Sequence, residues 1–109
     1  MLEAAFGSAT AERVLLYLHR YDEAYGRQVA QALGTAPSEV QKQLQKFEAG
    51  GILVSRLVGR TRVYGWNPRS VFVAPLRELL QAILEHLPAE QRGPFARGRR
   101  RPRRAGKAG

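Results

Sequence analysis

One short stretch of the chain, residues 37–49, carries side chains that can recognise nucleic-acid bases. Glutamine can form paired hydrogen bonds with adenine, lysine can reach guanine or a phosphate, and serine can bond to several base edges. Val40, Leu44 and Phe47 recur at helical spacing and form one inward stripe. The outward candidates for base or phosphate contact are Ser38, Gln41, Lys42, Gln45 and Lys46. This face predicts base reading, although any solvated helix can have the same composition.

Arginines near this stretch add candidate phosphate contacts. Arg56, Arg60 and Arg62 lie within seven residues, and Arg27 lies shortly before the candidate helix. Arginine at the tip of a hairpin can lie along a phosphate strand or enter a minor groove. Charges that keep a sheet edge soluble would look the same in the sequence. Arg60, at the predicted tip, is the strongest single candidate.

The elements that position these residues follow in one order. Two short helices are joined by a tight turn, and a two-stranded ribbon comes directly afterwards. Pro37 suits a first helical position and Gly34 suits a left-handed helix end. The predicted elements are the helices Tyr25–Leu33 and Pro37–Ala49, the strands Ile52–Val58 and Thr61–Asn67, and the turn Gly59-Arg60. Helix, turn, helix and ribbon predict a winged helix-turn-helix, a mainly α fold with a β-hairpin wing.

Two further helices flank this unit. The first begins after Ser8 or Thr10 and runs to about Arg20, and the last runs from Val71 or Phe72 to Leu87. The apolar stripe of the last helix is wider than one small core needs, which predicts a homodimer built on this helix. The predicted interface residues are Phe6, Leu76, Leu79, Leu80, Ile83, Leu84 and Leu87. Tyr64 and Trp66 share a strand face, where core packing is favoured over base stacking.

Length and composition predict one folded domain. The chain has 109 residues, 44% of them hydrophobic, which suits a single modest core over residues 1–88. It has no cysteine, so thiolate metal sites and disulfides are excluded. No apolar run approaches the roughly 20 residues that a membrane-spanning helix needs, and the start lacks the pattern of a signal peptide. We therefore expect a soluble, cytoplasmic protein.

The positive charge is concentrated at one end. The chain has a net charge of +9, of which residues 1–87 carry +2 and residues 88–109 carry +7. Such a segment, rich in Gly, Pro and Arg, predicts a disordered tail over 89–109 that binds any nucleic acid without choosing sequence. A tail that only aids solubility is the alternative. The arginines concerned are Arg97, Arg99, Arg100, Arg101, Arg103 and Arg104.

No catalytic or metal-binding set emerges from the sequence. There is no cysteine nucleophile, no defensible Ser-His-Asp order and no phosphate-binding glycine loop, so we expect neither an enzyme nor a cofactor. His19 and His86 lie near the ends of the first and last helices and would need Asp22 or Glu85 to complete a metal site. Histidine is common near helix C-termini, where the helix dipole favours it, so no metal is predicted.

The segment GRQVAQALGTAPSEVQKQLQKFEAGGILVSRLVGRTRVYGWNP resembles the ArsR-like winged-helix transcriptional regulators. The similarity spans about residues 2–87 and is greatest to a small branch that begins FGSxT, here Phe6-Gly7-Ser8-Ala9-Thr10, and often sits beside nucleotidyltransferase domains. The resemblance implies DNA binding as a homodimer, with the first and last helices at the interface. The chain departs from the family at Ala36, where Ser or Thr often caps the helix, and at Leu57, Val58 and Gly65, where the wing is often charged.

These observations favour a sequence-specific DNA-binding regulator, most simply a dimeric repressor. The helix over 37–49 would enter the major groove, and the wing over 52–67 would contact the backbone or minor groove. One alternative is an adaptor that binds a protein encoded nearby, such as a nucleotidyltransferase. The nearly neutral globule keeps that possibility open. Another is RNA association through the basic tail.

Overall fold

The computed structural model describes residues 1–96. Within them the chain forms a helical body with a small antiparallel sheet on one side. The helices are α1 (Glu3–Phe6), α2 (Ala9–Tyr21), α3 (Gly26–Leu33), α4 (Pro37–Ala49) and α5 (Val73–His86). The strands are β1 (Glu23–Tyr25), β2 (Leu53–Val58) and β3 (Thr61–Trp66). Two 3₁₀ turns, Ala89–Gln91 and Gly93–Phe95, follow α5.

Helix α2 is the centre of the core. The Ser8 hydroxyl caps it by accepting a hydrogen bond from the Ala11 amide at 3.0 Å, as the sequence predicts. Its buried apolar residues run from Val14 to Leu18, so the helix is covered on nearly every side. Helices α1, α3, α4 and α5 all pack against it. This arrangement lets one helix orient the helix-turn-helix and α5 relative to each other.

The start of the chain is held to the buried carboxylate of Glu12. One carboxylate oxygen accepts a hydrogen bond from the Met1 ammonium at 2.9 Å, and the other accepts from the Leu2 amide at 2.7 Å. The hydrogen bonds to Glu12 and then to Glu3 raise the pKa of the ammonium above its ordinary value. This clamp holds the α1 segment against α2.

The helix-turn-helix consists of α3 and α4. Gly34 ends α3 with a positive φ of 65°, the left-handed geometry predicted for it, and the Thr35 amide donates to the Ala30 carbonyl at 3.1 Å. Pro37 occupies the first turn of α4, whose bounds match the prediction. Helix α3 begins at Gly26, one residue later than predicted, because Tyr25 belongs to a strand.

The sheet has three strands in the order β1-β3-β2, all antiparallel. The wing hairpin β2–β3 was predicted, and Val58 pairs with Thr61 across a turn in which Gly59 has a φ of 63°. Each of its strands is one residue shorter than predicted. Strand β1 was not predicted, and its last residue, Tyr25, is the first residue of the predicted helix Tyr25–Leu33. It pairs with β3 and places Glu23 opposite Gly65.

The folded part of the chain extends beyond the predicted boundary at residue 88. The turns after α5 fold back on α2, and the Phe95 ring is buried in the core. The Phe95 carbonyl accepts a hydrogen bond from Arg20 Nε at 3.1 Å, and the Ala96 carbonyl accepts one from the Tyr21 hydroxyl at 2.8 Å. A single aromatic residue thus anchors a stretch whose composition predicts a tail. Residues 97–109, with the six tail arginines predicted to bind nucleic acid, lie outside the described residues.

Helix α5 divides the predicted interface residues into two groups. Leu80, Ile83 and Leu87 are almost completely buried in the chain's own core, so a partner cannot contact them without unfolding this part of the chain. Phe6, Leu76 and Leu84 are half-buried, and Leu79 is exposed. The sequence pattern could not separate these groups, because both recur at the same helical spacing. The large apolar side chains that remain exposed here are Val71 and Phe72 just before α5 and Leu79 on it, and we call them the exposed patch.

Candidate nucleic-acid interface

The outer face of α4 is polar and free. Val40 and Leu44 are fully buried against the core. Ser38, Lys42 and Gln45 recur on the opposite side of the helix and are exposed. Within residues 1–96 these three side chains form no hydrogen bond or ion pair with the rest of the chain. They are therefore available to an external partner, and we call them the free face.

Gln41 lies beside the free face but is tied to the sheet. Its Nε2 donates a hydrogen bond to the buried Tyr64 hydroxyl at 2.8 Å. Its Oε1 lies 3.0 Å from the position that a Cβ would occupy on Gly26, so the glycine makes room for the amide. To contact DNA through Nε2, Gln41 would have to release Tyr64. The side chain therefore connects α4 to β3 and to the start of α3.

Lys46 and Gln43 lie on the other flank of α4. Lys46 Nζ donates to the Phe6 carbonyl at 3.4 Å and lies 5.0 Å from the centre of the Phe47 ring. Gln43 is buried and donates to the Glu39 carboxylate at 3.1 Å. The Lys46 ammonium is thus turned towards the end of α1 and away from the free face.

The three arginines of the wing lie in three different environments. Arg60 is exposed at the tip. Arg62 Nη1 donates to the Ser55 hydroxyl at 2.9 Å, and that hydroxyl donates to the Glu48 carboxylate at 2.6 Å, which links the ribbon to the end of α4. Arg56 lies on the opposite face of the ribbon, where it forms an ion pair with Glu23 at 2.9 Å.

A concave patch joins the wing to the start of α3. It encloses a cavity of about 330 Å³ lined by Tyr25, Gly26, Arg27, Gln41, Arg60, Thr61 and Arg62. Within the described range, the side chains of Arg27 and Arg60 have no ion-pair partner. The N-terminus of α3 adds a partial positive charge. Three guanidinium groups beside a helix N-terminus fit a phosphate, and we call this region the arginine patch.

The sequence identified the arginines of this patch but not the way in which they meet. Arg27 was a candidate by its place at the start of a helix, and strand β1 brings that helix start next to the wing. Tyr25 was not a candidate, and its partly exposed ring forms part of the rim. Its exposure depends on the strand that the sequence did not reveal, so no local signal could have identified it.

The large aromatic residues of the wing belong to the core, as predicted. Tyr64 is buried, and Trp66 Nε1 donates to the Leu18 carbonyl at 3.2 Å. The Arg77 guanidinium lies 5.3 Å from the Trp66 ring centre. These contacts fix the base of the wing on α2 and α5, so that the tip projects from a rigid support.

The two histidines lie in hydrogen-bonded positions. His19 Nδ1 accepts from Arg77 Nε at 3.0 Å, and its Nε2 lies 2.9 Å from Gln81 Oε1. His86 Nδ1 is 2.8 Å from the Ala82 carbonyl oxygen. Across residues 1–96, no three His, Cys, Asp or Glu side chains form a group that could hold a metal ion. No helix in the same range is long and apolar enough to cross a membrane.

Comparison with solved structures identifies the fold. AntR, an antimony-specific transcriptional repressor, aligns with a TM-score of 0.56 and 29% identity over 73% of this chain and 68% of its own. Lactococcus lactis ZitR, in a mutant apo form, aligns with a TM-score of 0.57 and 16% identity over 71% of this chain. The chain has an ArsR-like winged helix-turn-helix fold.

The extent of this similarity is limited. The chain spans 58% of the length of the ZitR chain, and a second structure of the same ZitR mutant aligns with a TM-score of 0.52 and 17% identity. No protein-family model and no curated protein matches the sequence. In the ArsR-like fold of this chain, α3 and α4 form the helix-turn-helix and β2–β3 forms the wing. The free face of α4 thus lies on the helix-turn-helix, and the arginine patch joins the wing to the start of α3.

Proposed function

We propose that this chain is a sequence-specific DNA-binding transcriptional regulator, most simply a dimeric repressor that acts in the cytoplasm. The observation that carries the proposal is the adjacency of the free face to the arginine patch. Gln41 lines the patch and directly precedes Lys42 of the free face. One surface therefore offers both base-reading side chains and phosphate-binding cations. AntR, a repressor with the same fold, supports this function.

Base reading is assigned to the free face of α4. A major groove about 12 Å wide admits one α-helix, and α4 presents Ser38, Lys42 and Gln45 on its outer side. Gln45 can bond to adenine, Lys42 can reach guanine, and Ser38 near the helix start can bond to a base or phosphate. Gln41 and Lys46 are secondary candidates, since each would first have to give up an internal hydrogen bond.

Phosphate binding is assigned to the arginine patch. Arg27 and Arg60 are free to pair with phosphate oxygens, and Arg62 keeps unused donors beside its bond to Ser55. Contacts of this kind position a protein on the duplex without reading its sequence. Arg56 is a weaker candidate, because it is already paired with Glu23 on the other face of the ribbon. The tail arginines would add affinity that does not depend on sequence.

Dimer formation is assigned to the exposed patch of Val71, Phe72 and Leu79. Phe72 and Leu79 are 68% and 40% exposed, and Val71 beside them is 78% exposed. Large apolar side chains exposed in this way are typical of a protein interface. The half-buried Phe6 and Leu76 would complete the contact, whereas Leu84 lines a separate cavity. A two-fold dimer would present two α4 helices to successive major grooves, which are roughly 34–36 Å apart.

A gel-shift titration against the DNA upstream of the protein's own gene tests the proposal. The parent protein should shift one upstream fragment in the presence of excess unrelated DNA. A Lys42→Ala/Gln45→Ala double variant should lose that preference while retaining its fold by circular dichroism. Arg69→Ala is the matched control, since Arg69 is an exposed cation in the loop before α5. Equal binding of the parent to all fragments would contradict sequence-specific recognition.

A protein-interaction adaptor is the second candidate. The wing tip favours it, because Leu57 is 62% exposed and Val58 is 53% exposed where a phosphate-binding wing would carry charge. The net charge of +2 over residues 1–87 is also low for a DNA-binding domain. In this case a Leu57→Ser/Val58→Ser variant would lose a purified nucleotidyltransferase partner but keep any DNA affinity. RNA binding through the tail would instead appear as a shift of RNA that survives mutation of Lys42.

A further inference from the structure

A second cavity lies outside α4 and the wing. Its volume is about 440 Å³, and it opens between the end of α2, the second half of α5 and the turns that follow α5. Its polar lining residues are His19, Arg20, Gln81 and Arg92. None of its lining residues belongs to α3, α4 or the wing. The cavity is therefore separate from the proposed DNA-binding surface.

The cavity has two guanidinium groups and no acidic side chain in its lining. Arg20 Nε donates to the Phe95 carbonyl at 3.1 Å, and Arg92 Nε donates to the Leu87 carbonyl at 2.8 Å. These bonds fix each side chain but leave the Nη donors for another acceptor. Neither arginine has a carboxylate partner among the described residues. Two anchored cations without counter-charges favour an anionic ligand.

The other polar side chains of the cavity already form hydrogen bonds within the chain. His19 Nδ1 accepts from Arg77, so its Nε2 carries the proton and donates to Gln81 Oε1. The Gln81 amide nitrogen in turn donates to Glu85 at 3.0 Å. An incoming ligand would therefore find its free hydrogen-bond donors at the two arginines, which places the anionic end of the ligand beside them.

The remaining wall of the cavity is apolar and favours a ligand whose other part is also apolar. Leu84, Leu87 and Phe95 line it, and Phe95 is held there by the same carbonyl that anchors Arg20. A fully hydrated inorganic anion would gain nothing from these side chains, whereas a compact apolar group would lose its contact with water. Ligand sites commonly combine an apolar wall with a few placed polar groups in volumes of about 300–1,000 Å³.

We propose that this cavity binds a small organic carboxylate, with the carboxylate between Arg20 and Arg92 and an aromatic or branched apolar body against Leu84, Leu87 and Phe95. The site requires the segment after α5, since Arg92 and Phe95 both belong to it. That segment was predicted to be a tail, and its fold creates the cavity. The inference concerns a ligand and does not depend on the proposed DNA binding.

Calorimetric titration of the full chain tests the site without any DNA present. The probes are benzoate, phenylacetate and isovalerate, with benzyl alcohol as the neutral analogue and inorganic phosphate as the anion without an apolar body. At least one carboxylate should bind with a Kd of about 1 mM or below, and the alcohol and phosphate should bind about tenfold more weakly or worse. Since no DNA is used, a failure here leaves the proposed function untouched.

Matched variants show whether the binding occurs in this cavity. Arg92→Gln and Arg20→Gln should each weaken carboxylate binding about tenfold, since a charge-assisted bidentate contact is lost. Arg69→Gln removes an equal charge far from the cavity and should leave the Kd unchanged. Arg92→Lys serves as a second variant if Arg20→Gln loosens the fold, and it should bind more weakly than the parent because lysine lacks the planar fork.

The following results would overturn the proposal. No heat change with any carboxylate up to about 10 mM would exclude a specific site of useful affinity. Equal affinity for benzyl alcohol would show that the arginines play no part, and equal affinity for phosphate would show that the apolar wall plays none. Unchanged binding in folded Arg92→Gln and Arg92→Lys would place the ligand elsewhere on the chain.

Discussion

Helices α4 and α5 are nearly equal in length, with 13 and 14 residues, but they use their apolar residues differently. In α4 the apolar residues face a single core, and the opposite side is entirely polar. In α5 one edge of the apolar surface, Leu80 and Ile83, enters the core, while Leu79 on the other edge stays exposed. The first helix thus offers polar groups to a partner, and the second offers apolar ones.

The difference shows what the width of an apolar stripe can reveal. A narrow stripe, as in α4, leaves the helix one apolar partner, and the side chains on the opposite face are polar. A wide stripe, as in α5, indicates more than one apolar partner. It does not show which edge faces the chain's own core and which faces a second molecule. In α5 the buried edge, Leu80 and Ile83, joins the core in which α5 packs against α2, and only the folded chain shows this.

The largest expected effect is a difference in folding stability between substitutions on the two edges of α5. Leu80→Ala should destabilise the folded chain by about 2–5 kcal/mol, because it leaves a cavity beside α2. Leu79→Ala, one residue away, should cost the monomer less than about 1 kcal/mol, since the side chain is half in water. Chemical denaturation of both variants at low protein concentration measures the contrast.

The same pair of residues tests the dimer. Leu79→Glu should leave the fold intact and shift the protein from dimer to monomer in sedimentation, because it places a charge in the exposed patch. Tens of micromolar is an order of magnitude at which weak dimers still form. A parent protein that sediments as a folded monomer at that concentration would show that the exposed edge of α5 does not form a dimer. A Leu79→Glu variant that unfolds would show that both edges belong to the core.

The next effect concerns the free face of α4. Gln45→Ala should relax the preference for one base position of the operator by about 1–3 kcal/mol, as expected when a paired contact to adenine is lost. The stability of the free protein should not change, because Gln45 is exposed and has no internal partner in the described part of the chain. Binding to a set of operators with single base changes gives the measurement. An unchanged ranking of those operators would remove Gln45 from the base-reading set.

A smaller effect is expected at the wing. Arg60→Ala should weaken binding to all sequences about equally, by about 1 kcal/mol, and should lower the slope of log affinity against log salt by about one unit. Arg56→Ala is the matched control on the same ribbon, because its guanidinium is paired with Glu23. Titrations at several salt concentrations test both. If Arg56→Ala changes the slope and Arg60→Ala does not, the outer face of the ribbon contacts the phosphates instead.

The elements of the recognition unit could be predicted because their signals are local. Pro37 at a helix start, Gly34 in a left-handed position and Gly59 in a tight turn each impose a conformation on their own part of the backbone. The alternation of Tyr64 and Trp66 likewise indicated their buried face correctly. Local signals of this kind were sufficient for the winged helix.

The parts that could not be predicted depend on distant partners. Strand β1 exists because β3 pairs with it, and its three residues carry almost no signal of their own. The ion pair between Arg56 and Glu23 requires that pairing as well. The bonds that hold Gln41 and Lys46 join α4 to residues 23 and 40 positions away. Helical periodicity could identify the outward residues of α4 but not which of them the fold already uses.

The smallest expected effect distinguishes the free face from its tied flank. Tyr64→Phe removes the hydroxyl that accepts from Gln41 and should destabilise the protein by about 0.5–1.5 kcal/mol. Gln41→Ala should cost a similar amount, and the double variant should cost little more than either alone, because both changes remove the same bond. Denaturation of the three variants measures this coupling. If Gln41 acts mainly as a tether, neither single variant changes the ranking of operators that Gln45→Ala alters. A changed ranking in Gln41→Ala alone would mean that the residue releases Tyr64 on binding and reads a base, so the tied flank would join the free face.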